Sequence, residues 1–314
     1  MNNKKICILG SFVVDLTSRA PHLPVKGETV IGSMFKLGPG GKGSNQGVAA
    51  KRAGGDVTMI TKVGKDVFGK IANDNFKREG LYSDLIFQDD IKETGTALIM
   101  VDDESANSIL VVPGACNNIL PEEIEKARSV IEGSAILLTQ LEINMQATEK
   151  AIEIAYKSGV TVVLNTAPVQ PVSDELLAMT DIVTPNEVEA ELMTGIPIKT
   201  LKDCRAAAAV FFSKGVKKVV ITWGKNGVYA NDGIRDVQVP ISPVIPVDTT
   251  GAGDAFSGGF VVALAEGQDF FKAVIFGSVV AGLSCTKFGT APSMPFRSEV
   301  DEKLKEWEAV FRVF

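Results

Sequence analysis

Six short runs of apolar, largely β-branched residues recur along the chain, at residues 6–9, 57–61, 135–140, 161–164, 182–184 and 218–222. Stretches with the amphipathic spacing of helices lie between most of them, at 45–53, 66–79, 122–131, 147–158, 187–193 and 202–214. This alternation constrains the fold more than any other feature. A strand that is apolar at nearly every position is buried on both faces, which calls for a parallel sheet covered by helices on each side. The pattern predicts an α/β fold: a doubly wound, mostly parallel sheet flanked by helices. Right-handed crossovers then bring the carboxyl ends of the strands, and with them the ligand crevice, to one edge.

Two regions break the rhythm. Residues 12–36 and 94–113 read as strands and turns without helices. In the second, Thr96-Ala97-Leu98-Ile99-Met100-Val101 and Asn107-Ser108-Ile109-Leu110-Val111-Val112 flank Asp102-Asp103-Glu104-Ser105, the pattern of a hairpin with a polar turn. Two such insertions predict a small β-sheet beside the main unit, acting as a lid, a dimer surface or both. A decorative edge extension is the plainer alternative. With no internal repeat, linker or low-complexity segment, residues 1–314 are expected to form one domain carrying that lid.

Composition narrows the partners. A formal charge of −6 argues against a nucleic-acid or anionic-membrane partner, either of which needs a basic face. No run approaches the roughly 18 apolar residues of a membrane span, and the polar start, Met1 to Lys5, is unlike a signal peptide. The four cysteines, Cys7, Cys116, Cys204 and Cys285, are scattered without a C-x-x-C pair, so reduced thiols and a cytoplasmic location are expected. His22 is the only histidine and lies between Pro21 and Pro24, as a loop residue would. A histidine zinc site, or a Ser-His-Asp triad relying on any other histidine, is excluded.

Chemistry is suggested by small-residue turns and by polar residues placed just after strands. In Val247-Asp248-Thr249-Thr250-Gly251-Ala252-Gly253-Asp254 a glycine turn opens a helix and puts an aspartate in its first turn. Unpaired N–H groups and the positive end of the helix dipole attract anions there. Asp254 is then either a helix-start stabiliser or a base beside an anion in transfer. A second segment, Gly38-Pro39-Gly40-Gly41-Lys42-Gly43-Ser44-Asn45-Gln46-Gly47, precedes a helix expected to begin near Asn45. It is not a Walker A loop, since Lys36 stands where the first glycine belongs and Gly43 replaces the Ser/Thr after the lysine. A binding site and a flexible turn with a helix cap fit it equally well. Asp15 and Glu142 each follow a strand, as does Asn186-Glu187-Val188-Glu189, whose acids suit either helix capping or support of Mg²⁺. Thr222-Trp223-Gly224-Lys225-Asn226-Gly227 follows another, with glycines that permit close approach of a phosphate. Weak singly, these residues together argue for one site at the strand ends.

With those residues in view, the chain resembles the ribokinase (PfkB-type carbohydrate kinase) family nearly from end to end. Gly40-Gly41-Lys42-Gly43-Ser44-Asn45-Gln46-Gly47 carries the likeness, and so does Asp248-Thr249-Thr250-Gly251-Ala252-Gly253-Asp254-Ala255-Phe256, similar to the family pattern D-T-x-G-A-G-D. The resemblance implies ATP-dependent phosphorylation of a sugar primary hydroxyl, the 5-hydroxyl of a pentose. Asp254 would be the base, and the N–H groups of Gly251, Ala252 and Gly253 the anion hole. Asp15, Gly41, Lys42, Asn45 and Glu142 would hold the sugar. Asn186, Thr222, Gly224 and Gly227 would face ATP, with Glu189 supporting Mg²⁺. An activating potassium ion would lie by Asp248, Thr250, Ser284, Lys287, Gly289 and Ser293, and a homodimer through the lid is the family expectation. One position departs: ribose-specific members carry asparagine two residues before the sugar-binding aspartate, and this chain has Val13. That likeness to deoxyribokinases leans the reading toward 2-deoxy-D-ribose, with D-ribose its close competitor. Other classes stay open: a kinase for another sugar or a nucleoside, a non-catalytic sugar-binding regulator on the same scaffold, and a dinucleotide-dependent oxidoreductase. The last is disfavoured by the missing G-x-G-x-x-G after the first strand.

Overall fold

The computed structural model describes residues 4–104 and 106–311. Met1, Asn2 and Asn3 of the polar start, Ser105 of the expected turn and residues 312–314 lie outside them. The strands are β1 (Lys5–Leu9), β2 (Val13–Arg19), β3 (Met34–Gly40), β4 (Asp56–Gly64), β5 (Ile86–Asp89), β6 (Thr94–Val101), β7 (Asn107–Gly114), β8 (Ile136–Thr139), β9 (Thr161–Leu164), β10 (Ile182–Val183), β11 (Lys218–Thr222), β12 (Val228–Asn231) and β13 (Asp236–Val239). The helices are α1 (Lys42–Arg52), α2 (Val67–Arg78), α3 (Pro121–Lys126), α4 (Arg128–Glu132), α5 (Met145–Lys157), α6 (Asp174–Ala178), α7 (Glu187–Thr194), α8 (Leu201–Ser213), α9 (Ala252–Ala265), α10 (Phe270–Ser284) and α11 (Arg297–Phe311).

Nine of these strands form one sheet in the order β13-β12-β11-β10-β9-β8-β1-β4-β5. All six expected strands are in it and pair in parallel. The edge strands β12 and β13 are antiparallel and were not anticipated. Alternation along β1 divides the core. Ile6 and Ile8 face a layer containing Val48 of α1, Phe256 and Phe260 of α9 and Val279 of α10, whereas Cys7 and Leu9 face Ile124, Ala151 and Ile154 of α3 and α5. Beyond β9 the second face is covered by α7 and α8, with Ala207 and Phe211 against Val183 and Ile221. This is the doubly wound arrangement expected, with two adjustments among the helices. The stretch 122–131 divides at Ala127 into α3 and α4, and α1 begins at Lys42 rather than near Asn45.

The interrupting regions build a separate four-stranded sheet, ordered β3-β2-β6-β7. Two antiparallel hairpins, β2–β3 and β6–β7, join through a parallel β2–β6 pair. β3 runs past the expected limit at Lys36 as far as Gly40, and the next residue, Gly41, is the N-cap of α1. The small sheet is thereby tied directly to the helix that enters the site.

Candidate active site

Two helices run side by side with their N-termini together at the carboxyl edge of the large sheet. α9 starts after Gly251, which takes a left-handed φ of 78° that a side chain would strain. The helix can approach α1 closely because Gly258 carries no Cβ; an added one would lie 2.6 Å from the Ala49 Cβ and 2.7 Å from the Gln46 carbonyl oxygen. That contact puts Asp254, one turn earlier on α9, beside Asn45 and Gln46 of α1. Asn45 Nδ2 donates to Asp254 Oδ2 at 3.0 Å, and Gln46 Nε2 donates to Oδ1 at 3.0 Å. The Asp254 carboxyl is raised above the usual range by burial, against the pull of the Lys42 charge and the two amides. A carboxylate in that condition is a stronger base than one in water, while its amide partners still favour the anion.

α1 starts in an equally crowded place. A Cβ on Gly43 would come within 2.5 Å of the Gly10 backbone, so the helix start sits on the end of β1 only because both residues are glycine. The Lys42 N–H donates to Glu142 Oε2 at 3.0 Å, and the Ser11 hydroxyl donates to the same oxygen. Glu142 is thus an anion at a helix N-terminus as well as an acid facing the site. Burial lowers the Lys42 pKa, but Asp254, Glu142 and Glu189 outweigh it and the net displacement is upward. Lys42 therefore stays charged among three carboxylates.

Asp15 approaches from the small sheet. Its carboxylate fills the space a Gly40 side chain would need, since an added Cβ there would sit 2.1 Å from Oδ1. Thr290 Oγ1 lies 3.4 Å from Asp15 Oδ2 and 3.3 Å from the Pro39 carbonyl oxygen. Burial pushes the Asp15 pKa up to about 6; the Thr290 hydroxyl opposes this, and the charges of Glu142 and Asp254 add to it. Val13 is 3% exposed and, two residues before Asp15, shares its face of β2. Three acids and an asparagine converging on one place form a set of acceptors suited to a polyhydroxylated ligand.

A cavity of about 200 Å³ opens on the other side of Asp254, bounded by Lys42, by Thr249 and the α9 start, and by Asn186, Glu189 and Thr222. Asn186 and Thr222 form a parallel bridge that holds the β10 and β11 ends together. Asn186 caps α7: its Oδ1 accepts from the Glu189 N–H at 2.8 Å, and its own N–H donates to Glu189 Oε2 at 3.0 Å. Glu189 Oε2 also accepts from the Thr166 hydroxyl at 3.1 Å. The capping alternative is the one observed, and the capping carboxylate also borders the cavity. Gly224 and Gly227 take φ of 45° and 86° in the turn after β11, at the same sheet edge but outside this cavity's lining. At the α9 start one adjustment is needed: the Ala252 N–H is turned to the Thr249 carbonyl at 3.2 Å. Gly253 faces open space, with nothing within 4 Å of an added Cβ.

The residues associated with a cation loop lie beside Thr290. Asp248 Oδ1 accepts from the Thr250 N–H and Oδ2 from the Gly289 N–H, each at 2.9 Å. Ser293 Oγ donates to the Thr290 carbonyl at 2.8 Å, and the Lys287 N–H to that of Ser284 at 3.2 Å. The Lys287 ammonium is directed away, to Glu299 at 2.7 Å, so only its backbone can belong to such a loop. The donor set is all oxygen, mostly carbonyl and hydroxyl, which suits a large monovalent cation. Among the described residues no group of three or more His, Cys, Asp or Glu side chains is arranged to hold a metal ion. A divalent ion at this edge would have to be held mainly by phosphate oxygens and water.

Sequence reasoning missed Gln46, Gln140, Asn165, Ser11 and Thr290. Gln46 and Gln140 are fully buried, and Gln46 stands in the quoted glycine motif. A polar residue inside an otherwise apolar, small-residue helix face is the one signal that would have pointed to it. Thr290 carries none.

A family model described as pfkB family carbohydrate kinase matches residues 3–297. The ribokinase of Haemophilus influenzae is 40% identical over 302 residues, covering 96% of this chain and 99% of that protein. The deoxyribokinase of Salmonella typhi is 36% identical over 300 residues, covering 95% and 98%. Among solved structures, Arabidopsis thaliana ribokinase complexed with ribose and ATP matches with a TM-score of 0.90 at 30% identity, over 97% of this chain and 99% of that one.

Proposed function

The chain belongs to the pfkB family of carbohydrate kinases and is a sugar kinase; on that premise we propose that it transfers the γ-phosphoryl group of ATP to the 5-hydroxyl of 2-deoxy-D-ribose or D-ribose. The observation that carries the reading is the position of Asp254. It is a buried carboxylate in the first turn of α9, held by Asn45 and Gln46, between a cluster of acceptors and the cavity bordered by Asn186, Glu189 and Thr222. Asp254 takes the proton of the sugar hydroxyl as it attacks. Negative charge then moves onto the transferring group at the positive end of α9, where the N–H groups of Gly251 and Gly253 and, after it leaves Thr249, that of Ala252 receive it. Lys42 adds a fixed positive charge close by. Little covalent chemistry is asked of the protein beyond alignment and charge stabilisation.

Asp15, Glu142, Lys42, Asn45 and the Gly41 backbone hold the sugar. The buried Asn45 Oδ1 has no hydrogen-bond partner among the described residues and accepts from a sugar hydroxyl. Asn186, Thr222, Gly224 and Gly227 face the nucleotide. A magnesium ion bound with the nucleotide would supply charge neutralisation on the phosphates, and Glu189, both of whose oxygens are engaged within the chain, would support it through water. Asp248, Thr250, Ser284, Lys287, Gly289 and Ser293 would hold a potassium ion, whose charge would steady the segment that leads into α9.

Val13 favours 2-deoxyribose, because an apolar side chain beside Asp15 gives a 2-hydroxyl no partner. Ribose is the second reading, favoured by the 40% identity to a ribokinase. The small sheet leaves Phe35, Ile109, Leu110 and Val112 at least half exposed, which supports a homodimer formed through it. No helix among the described residues is long and apolar enough to cross a membrane; the unpaired cysteines and the use of ATP support a cytoplasmic location. The test is ADP release with each pentose in the presence of Mg²⁺ and K⁺, with phosphorus NMR locating the ester. ADP formation indifferent to every pentose overturns the reading.

A further inference from the structure

Asp254 does not stand alone with its two amide donors; one of them is itself held from behind. Gln140, the residue after β8, donates from Nε2 to Gln46 Oε1 at 2.7 Å, and Gln46 Nε2 donates to Asp254 Oδ1 at 3.0 Å. Asn165 Oδ1 lies 3.4 Å from the same Gln46 nitrogen, and Asn165 Nδ2 donates to the Thr184 carbonyl at 2.9 Å. All three amides are at least nine-tenths buried. The direction of the chain is dictated by charge. An ionised carboxylate only accepts, so Gln46 must turn its NH₂ to Asp254; its carbonyl then faces Gln140, which must answer with its own NH₂. Gly10 makes the arrangement possible, since a Cβ there would lie 2.0 Å from Gln140 Oε1.

We propose that Gln46, oriented by Gln140, is a positioning residue for phosphoryl transfer: the directed amide pair sets the rotation of the Asp254 carboxylate about its side-chain bonds, leaving a lone pair aimed at the acceptor hydroxyl. The inference rests on Asp254 being the base. With Asn45 on Oδ2 and Gln46 on Oδ1, the carboxylate plane is held at both oxygens, and rotating it breaks one bond or the other. Small misalignments of a reacting group are expensive in rate. A side chain that merely filled this space would leave the proton affinity of the base unchanged, whereas a donor to the anion lowers it. The charged groups facing Asp254 are Lys42 of α1, Glu142 after β8 and Asp15 of β2, and none is altered by changing Gln46.

The experiment measures kcat, both KM values and the pH dependence of kcat for Gln46→Leu, Gln140→Leu and Asp254→Asn in the full-length protein, with folding checked by circular dichroism. Gln46→Leu is expected to lower kcat about 10- to 100-fold, leave both KM values within about threefold, and move the acid limb of the kcat profile up by about one pH unit. Gln140→Leu is expected to act in the same direction by about three- to tenfold, because an unheld Gln46 amide can turn its carbonyl toward Asp254. If Gln46→Leu does not fold, Gln46→Glu keeps the size and is expected to raise the acid limb further through its second carboxylate. A loss confined to KM, or a lower kcat with the acid limb unmoved, overturns the inference. Near-wild-type turnover in Asp254→Asn overturns instead the reading on which it rests.

Discussion

Replacing Val13 by asparagine isolates the choice between the two pentoses. Val13 is 3% exposed, and its neighbours across the ladder are both glycine, Gly40 on β3 and Gly95 on β6. Neither directly paired residue carries a side chain, so the longer amide of asparagine enters without displacing one of theirs. In the proposed sugar site, ribose would leave a buried hydroxyl without a partner, at a cost of roughly 1–3 kcal/mol. Val13→Asn removes that cost and imposes a comparable one on 2-deoxyribose, which would leave the new amide unsatisfied. Taking about 1.4 kcal/mol from the lower half of that range for each sugar, the ratio of kcat/KM for ribose over 2-deoxyribose should rise about 100-fold. The assay is kcat/KM for both sugars by coupled ADP detection, wild type and variant side by side, with thermal melting to confirm a folded protein. A folded Val13→Asn whose ratio stays within twofold of wild type refutes the argument, and with it the role assigned to this position.

Four further outcomes can be checked. Because burial pushes the Asp15 pKa to about 6, and the ionised form is the one that accepts from sugar hydroxyls, kcat/KM for the sugar should fall about tenfold per unit as pH drops below that value; the Asp15→Asn profile should lack this limb. The same upward displacement works against the fold in the other direction: its stabilising contribution is complete below the unfolded pKa near 3.8 and is lost as pH rises through about 6, so Asp15→Asn should flatten the decline of melting temperature between those limits. Gly43→Ala should destabilise by about 1–3 kcal/mol, because its Cβ would meet the Gly10 backbone at 2.5 Å; an unchanged melting temperature would show that α1 can withdraw freely. Asp248→Ala should raise the potassium concentration for half-maximal turnover at least about tenfold by freeing the Thr250 and Gly289 N–H groups it holds, and a potassium titration that overlays wild type argues against the loop assignment.

The parallel sheet was legible because its central strands are apolar at consecutive positions, a pattern few other arrangements can bury. α10, however, has no polar stripe: Phe270, Phe271, Ala273, Val274, Phe276, Val279 and Val280 are buried all round it, so periodicity had nothing to register. α9 was found only through its opening glycine turn. The edge strands β12 and β13 are short and mixed in polarity, and lie where a propensity pattern is weakest. The start of α1 was placed three residues late because Gly43 and Ser44 are poor helix formers; what secures them is the Glu142 carboxylate at the Lys42 N–H, a contact across 100 residues. Within the site the same division holds. Glu142 and Asn186 announce themselves by following strands, whereas Asp15, expected just past the end of the first strand, lies within β2 of the small sheet. Gln140 follows one too, but its partner on α1 is visible only once Gly10, Gly43 and Gly258 have let the elements touch.

Among the described residues the two sheets share no ladder, and the residues proposed for the site divide between them: Val13 and Asp15 stand on the four-stranded sheet, whereas Asp254 heads a helix buried against the nine-stranded one. On the proposed roles, the small sheet carries one part of recognition, Val13 and Asp15, whereas Glu142, Lys42 and Asn45 stay with the base. Drift along β2 would then retune which alcohol is preferred without moving Asp254. A graft of that strand between relatives of differing taste is expected to carry part of the preference with it.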